Sequence, residues 1–170
     1  RNHEFTRSHL DGSPLDRPPE SPSDVVERVW SKVFPHRNIV FNSGKIMASD
    51  KGREYNAAEM SDGERVALYL IGECLAAPKG GIIVVDEPEI HLHRSIQSDL
   101  WDAIERERDD CQFVYFTHDL HFASGREATR VWLKDYDGSK WDWRVIDGEE
   151  GIPEEVLLSI LGSRRPVLFV

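Results

Sequence analysis

The stretch GGIIVVDEPEIHLH, residues 80–93, limits the fold more than any other part of the chain. Ile82, Ile83, Val84 and Val85 are consecutive β-branched residues, and such side chains favour strands because they are stiff at χ1. A run that is apolar at every position predicts a strand covered on both faces, as in a parallel sheet between helices. Asp86 and Glu87 then fall at its carboxyl end, the edge where open α/β sheets bind ligands. Three readings stay open here: a metal site sharing His91 and His93, a working carboxylate pair, or a strand that ends in solvent.

The flanking segments supply its neighbours. From Ser61 onward, Ala67, Leu70, Ile71, Cys74 and Leu75 recur at helical spacing, and Pro78-Lys79-Gly80-Gly81 ends the pattern. Ser61 and Glu64 have the Ser-x-x-Glu spacing of a capping box. A Ser and a Gly at a helix start also present amide groups to an anion, so a capping role and a phosphate-binding role are compatible. A second helix is expected from about Arg94, with Ile96, Leu100, Ala103 and Ile104 inward. The run FVYF, residues 113–116, reads as a further strand ending in Thr117-His118-Asp119. Strand, helix, strand over this length is a βαβ unit with a right-handed crossover. If its strands are adjacent, His118 and Glu87 converge on one crevice.

Elsewhere the signals are shorter. Residues 11–23, DGSPLDRPPESPS, have the composition of a loop or linker. Val25, Val26, Val29, Trp30 and Val33 predict an amphipathic helix with Ser23 as N-cap, closed by Pro35. NIVFN and KIMAS read as strands, with SDKG (49–52) a turn before REYN. RVWLK and WDWRVI flank DYDGS as an antiparallel hairpin; PEEVLLSIL reads as a helix and RPVLFV as a strand.

Composition bounds the function. A chain of 170 residues with 39% hydrophobic and 31% charged content suits one folded domain. No apolar run approaches the roughly 20 residues a membrane helix needs, and no secretory leader is visible, so the expectation is a cytoplasmic protein with no membrane partner. Cys74 and Cys111 read as buried thiols of a reducing compartment. The net charge of −10 gives this chain little of the electropositive surface that phosphate backbones require.

Three motifs in order, MSDGER (60–65), IIVVDEPEIHLH (82–93) and FTHD (116–119), decide among the open readings. Together they resemble the distal half of an ABC-type ATPase head, over about residues 57–135. Ser61, Asp62, Gly63, Glu64 and Arg65 resemble the signature motif, as SDGE where SGGQ is the commoner form. Asp86 and Glu87 match the Walker B aspartate and the glutamate after it. Glu89, Ile90, His91, Leu92 and His93 fall at the D-loop, and His118 at the switch histidine. EPEIHLH departs from the Thr-Ser-Ala-Leu-Asp-like run of transporter ATPases. It is similar to ATPases of the overcoming-lysogenisation-defect (OLD) kind and their relatives near RecF and SMC proteins, which act in DNA repair or phage defence. The closing RRPVLFV resembles the strand that opens a nuclease-like Toprim effector in such proteins.

The fold this implies is α/β: a partial P-loop NTPase of ABC type, with a parallel β-sheet core flanked by helices and a C-terminal antiparallel hairpin. The corresponding division is a loop over 1–23, the C-terminal portion of the ATPase domain over 24–150, and a helix and strand over 151–170 leading toward an effector. A P-loop needs Gly-x-x-x-x-Gly-Lys-Ser/Thr. SGKI (43–46) lacks the earlier Gly and the hydroxyl residue, so the P-loop is expected upstream of Arg1 or on another polypeptide, and this chain alone is expected to be inactive.

The resemblance further implies ATP and Mg²⁺ as cofactors and a homodimer that sandwiches nucleotide, with DNA or an effector nuclease as further partner. Ser61 and Gly63 would meet the γ-phosphate held by the opposite subunit, Asp86 the Mg²⁺, Glu87 the attacking water and His118 the γ-phosphate. Asp62 adds a negative charge beside that phosphate, and His93 stands where many relatives carry Asp. The rival enzyme reading is a hydrolase or nuclease holding Zn²⁺ or Mn²⁺ through His91, His93, His118, Asp119 and His121. A third is a non-catalytic dimerisation module.

Overall fold

The computed structural model describes residues 20–42, 44–146 and 167–169. Helix α1 (Pro22–Val33) starts two residues earlier than the sequence suggested. Its N-cap is Ser21, not Ser23: the Ser21 hydroxyl accepts from Asp24 N at 3.2 Å and the Asp24 carboxylate from Ser21 N at 3.0 Å. Pro22 explains the shift, because a proline at the first helical position gives up an amide that has no partner there anyway. The buried stripe of α1 is Val29, Trp30 and Val33. Trp30 Nε1 donates to Arg37 O at 3.0 Å, tying the helix to the strand that follows.

Strands β1 (Arg37–Asn42), β2 (Lys45–Asp50) and β3 (Arg53–Asn56) form an antiparallel meander in that order. The β2–β3 turn is two residues long, with φ of 49° at Lys51 and 83° at Gly52, and Asp50 pairs with Arg53. Positive φ at both central positions matches the right-handed twist of the flanking strands. A single 3₁₀ turn, Ala57–Glu59, then delivers the chain to α2 (Asp62–Ala76), whose buried residues are Glu64, Ala67, Ile71 and Cys74.

The larger sheet has five strands in the order β4-β5-β8-β6-β7. They are β4 (Ile82–Asp86), β5 (Gln112–Thr117), β6 (Arg130–Tyr136), β7 (Trp141–Ile146) and β8 (Val167–Phe169). β4 and β5 are parallel, with Asp86 opposite Phe116, and α3 (Arg94–Glu107) connects them as expected. β8 pairs antiparallel with both β5 and β6, so the parallel character is confined to β4–β5 and the expected terminal strand is part of this same sheet. β6 and β7 form the expected hairpin. The helix read from PEEVLLSIL lies outside the described residues.

Ile83, Val85 and Phe113 pack against the core built by α1, α2 and α3, where Trp30, Ile71, Leu100, Trp101 and Ile104 are fully buried. The expectation that β4 is covered on both faces is corrected here. Ile82 and Val84 are 66% and 60% exposed, because among the described residues the helices cover only the Ile83–Val85 side. On β7 the exposed Val145, paired with Val131 of β6, continues the open character at the far edge of the sheet.

Two charged ties hold the helical layer. Arg28 bonds Glu107 through Nε and Nη2 at 2.9 and 2.7 Å, a bidentate link between α1 and α3. Arg108 is 6% exposed and donates to Cys74 O, to Pro78 O at 2.9 Å and to Asp110 at 2.9 Å. It thereby adds a donor to Cys74 O, which otherwise has only the long bond from Ala77 N at 3.4 Å, and to Pro78 O just past the end of α2. Cys74 is buried, and burial pushes its thiol up to about 11; Cys111 is only half-buried, contrary to expectation.

Candidate functional site

The carboxyl ends of β4 and β5 bring Asp86, Glu87 and His118 together. Glu87 leaves β4 with φ of 50°, a left-handed conformation uncommon for a residue with a side chain. Its amide still donates to Phe116 O at 2.7 Å, so the backbone turns sharply without letting go of the neighbouring strand. The turn sends the two carboxylates apart: Asp86 is exposed, and Glu87 Oε1 lies 3.0 Å from His118 Nε2. Such strain is kept where the surroundings over-determine it, often at working sites.

The loop after Glu87 is pinned from below. Trp101 Nε1 donates to Pro88 O at 3.1 Å, and the buried Gln97 Nε2 donates to Glu89 O and Leu92 O at 3.2 and 3.1 Å. Leu92 is buried, while Ile90 and His91 face solvent, His91 with φ of 61°. His93 is the N-cap of α3, its Nδ1 accepting from Ser95 N at 3.3 Å. Glu89 turns inward, and its Oε1 accepts from Thr117 Oγ1 at 2.7 Å.

Electrostatics follow from this crowding. The Glu87 carboxyl is pushed above its ordinary value, by burial first and by the adjoining Glu89 carboxylate next, and Asp86 adds to the effect. The facing His118 ring works in the opposite direction. Glu89 Oε2 is buried and has no hydrogen-bond donor. Two carboxylate oxygens side by side make no hydrogen bond until one carries a proton, which is why the pair favours protonation of Glu87.

The signature-like segment begins α2. Ser61 caps it: the hydroxyl donates to Glu64 Oε2 at 2.6 Å, and Ser61 N donates to the same oxygen at 2.9 Å. Glu64 is buried, its other oxygen taking Tyr55 Oη at 2.6 Å and Arg37 Nη1 at 2.9 Å. Burial pushes the Glu64 carboxyl up, but the bonds from Ser61 and Tyr55 with the Arg37 charge outweigh it, and the carboxyl sits below its ordinary value. Of the expected signature residues, Glu64 therefore faces its own fold, while Ser61, Asp62 and Arg65 face solvent. Arg65 is ion-paired with Asp62, which offsets that extra negative charge. A Cβ at Gly63 would meet only His91 O, at 3.7 Å, so packing within the chain does not demand glycine there.

Of the residues that the sequence singled out, the fold brings Asp86, Glu87 and His118 to one strand edge and places Ser61 and Glu64 as the cap of α2. Sequence reasoning missed Arg37, Tyr55, Gln97, Trp101 and Thr117, whose roles are visible only once the strands and helices are in place. One signal was available: Gln97 and Trp101 stand four apart on the predicted helix, on the face shared with Leu100 and Ile104. The histidine-rich rival finds no constellation, since among the described residues no three of His, Cys, Asp and Glu form a group that could hold an ion. A cleft of about 720 Å³ lies beside α3 and one of about 840 Å³ beside α1 and the end of α2, and neither is lined by Asp86, Glu87 or His118. The strand-end site is an open surface.

The fold is the α/β architecture of SMC ATPase heads, as comparison with solved structures shows. An SMC ATPase chain, from work on ATP-driven dimerization and DNA-stimulated activation of SMC ATPases, superposes with a TM-score of 0.63 at 15% identity. That match covers 97% of this chain and 99% of the other. An Smc head domain with coiled coil and joint from Pyrococcus yayanosii gives 0.58 at 14% identity, over 85% of this chain and 29% of that one. Residues 7–124 match the family described as AAA domain, putative AbiEii toxin, Type IV TA system, and the chain belongs to this family. No curated protein matches the sequence. No helix among the described residues is long and apolar enough to cross a membrane.

Proposed function

We propose that the chain is part of an ATP-binding and ATP-hydrolysing head in which Asp86, Glu87 and His118 perform the hydrolysis. The observation that carries this reading is the meeting of Glu87 and His118 at 3.0 Å, beside Asp86, at the ends of adjacent parallel strands. Asp86 would hold Mg²⁺: a single exposed carboxylate at a strand end fits an ion that prefers oxygen ligands and keeps several waters. When bound, that ion neutralises charge on the transferring phosphoryl group.

The chain's own residues do the rest. Glu87 accepts a hydrogen bond from the attacking water and orients it for in-line approach to the γ-phosphate. Its raised carboxyl suits a base, since a proton is better accepted there than at an ordinary carboxylate. His118 donates through Nε2, to the Glu87 carboxylate at rest and to a γ-phosphate oxygen when nucleotide is present. Positioning and charge stabilisation supply most of the acceleration of phosphoryl transfer.

The sandwich arrangement belongs to the same reading. Ser61, Asp62, Gly63 and Arg65 at the start of α2 would face nucleotide held by a second copy, with Ile90, His91 and His93 at the seam between copies. Three features support this: the solvent-facing α2 start, a glycine that packing does not require, and an open rather than enclosed strand-end site. The SMC ATPase likeness concerns proteins that dimerise with ATP. The P-loop is supplied outside these residues. The OLD-like EPEIHLH run supports coupling to DNA repair or phage defence, and the toxin–antitoxin description of the family favours the defence side of that reading. With a net charge of −10, this part has little of the electropositive surface that DNA contact requires.

The test is ATP turnover by the complete protein with and without Glu87→Gln. The variant should bind ATP and hydrolyse it at least about a hundredfold more slowly. Full turnover by the variant, or no P-loop sequence in the complete gene or a partner subunit, would sink the reading.

A further inference from the structure

Glu89 belongs to the run that the motif comparison turns toward a second subunit, yet its carboxylate points into its own fold. Oε1 accepts from Thr117 Oγ1 at 2.7 Å, and the same hydroxyl oxygen accepts from Asp119 N at 2.9 Å. Thr117 is fully buried and immediately precedes His118. The Glu89 backbone is equally committed, its carbonyl taking Gln97 Nε2 at 3.2 Å and Leu92 N at 3.2 Å. One residue thus links the loop after β4 to the end of β5 on either side of His118.

A latch of this kind does not need a charge. A glutamine at position 89 would accept the Thr117 hydroxyl equally well and would set an amide, not a second anion, beside Glu87. The chain instead keeps a carboxylate, its Oε2 buried without a donor, two residues from Glu87. Like charges in such a place oppose each other, so a cost in stability is being tolerated.

We propose that Glu89 is a positioning residue for ATP hydrolysis: its Oε1 sets the height of His118 through Thr117, and its carboxylate, held inward two residues from Glu87, keeps the Glu87 side chain turned toward His118 and the attacking water. This rests on the assignment of Glu87 and His118 to hydrolysis. Glu89 touches neither nucleotide nor water itself.

Steady-state hydrolysis by the complete protein tests it, with Glu89→Gln, Thr117→Val and Thr117→Ser beside wild type and Glu87→Gln. Glu89→Gln should lower kcat about tenfold and leave KM for ATP within about twofold, because orientation and not binding is lost. Its Tm should equal or exceed that of wild type, because the amide still accepts from Thr117, so a residue serving only to hold the loop would leave kcat unchanged as well. Thr117→Val should also lower kcat, and Thr117→Ser should restore it. If Glu87→Gln is slow while Glu89→Gln turns over like wild type, the positioning role is wrong and the hydrolytic site stands. If wild type hydrolyses no ATP, or Glu87→Gln is unimpaired, the site assignment fails and takes this inference with it.

Discussion

Glu87 Oε1 and His118 Nε2 lie 3.0 Å apart, joined across the ends of two parallel strands whose backbones are locked by the Glu87 N to Phe116 O bond of 2.7 Å. The left-handed turn at Glu87 makes the contact, since an extended residue there would carry its side chain along the face of the sheet. A residue with only one side-chain atom changed keeps that turn. Glu87→Gln in the complete protein is therefore expected to retain nucleotide affinity within about threefold while turnover falls about 10² to 10³-fold. Equilibrium ATP binding and single-turnover hydrolysis separate the two quantities.

Removing the ring should alter pH dependence as well as rate. His118 holds the Glu87 carboxyl lower than burial and Glu89 would leave it. In His118→Ala that restraint is gone and the carboxyl rises further. A base is active when ionised, so the acidic limb of the kcat profile should move to higher pH, with kcat on the plateau about tenfold lower or more. An unmoved limb would show that the titrating group is not Glu87.

Much of the fold and part of the site were legible because they depend on local pattern. The 3.6-residue period of α2 and α3, the Ser61–Glu64 capping box and the β-branched run of β4 are short-range signals, and each marks the element it predicts. The covering of β4 was not legible. Four apolar residues in a row report that both faces of a strand prefer burial, but not which chain buries them, and Ile82 and Val84 remain exposed among the described residues. The same limit hid the support of the site. Arg37 reaches Glu64, and Thr117 reaches Glu89, across gaps in sequence that no periodicity spans. Ser23 was preferred as a cap because a serine before an apolar run is the usual signal; Pro22 moved the helix start back to Ser21.

The buried Glu64 makes the α2 start sensitive to acid. Its folded carboxyl lies below its ordinary value, so its contribution to stability is complete above about pH 4.3, the usual value for an unfolded glutamate, and is lost as pH falls through the lower folded value. Glu64→Gln places an amide where Ser61, Tyr55 and Arg37 all donate, and should cost about 1 to 3 kcal/mol near neutral pH. The gap between variant and wild type should narrow as pH drops below about 4. Urea unfolding at pH 7 and pH 3.5 measures both.

Arg108 provides a stability test away from the strand-end site. Its guanidinium is nearly buried and meets the carbonyls of Cys74 and Pro78. Arg108→Met keeps most of the aliphatic stem but leaves those acceptors only the weak bonds from Ala77 N and Cys111 Sγ, and should lower stability by about 1 to 3 kcal/mol. Asp110 is held well below the usual carboxylate range by this arginine, so its carboxyl should rise toward its ordinary value in the variant. Denaturant midpoints and titration of the Asp110 carboxyl by NMR report the two effects independently.

Trp101 joins stability to the geometry of the site in a single side chain. It is fully buried, edge-on to Tyr115 with ring centroids 5.2 Å apart, and its Nε1 donates to Pro88 O at 3.1 Å. Pro88 stands between Glu87 and Glu89, so the indole N–H fixes the backbone from which both carboxylates project. Trp101→Ala should cost about 3 to 5 kcal/mol through the cavity it leaves. Trp101→Phe fills most of that space and removes the donor, leaving a buried carbonyl unpaired at about 1 to 3 kcal/mol. If the loop is held for catalysis, Trp101→Phe should also lower kcat about tenfold at temperatures well below its Tm, since a displacement of about 1 Å at the reacting groups can cost up to a hundredfold. A variant that melts earlier yet turns over ATP at the wild-type rate would confine Trp101 to a packing role.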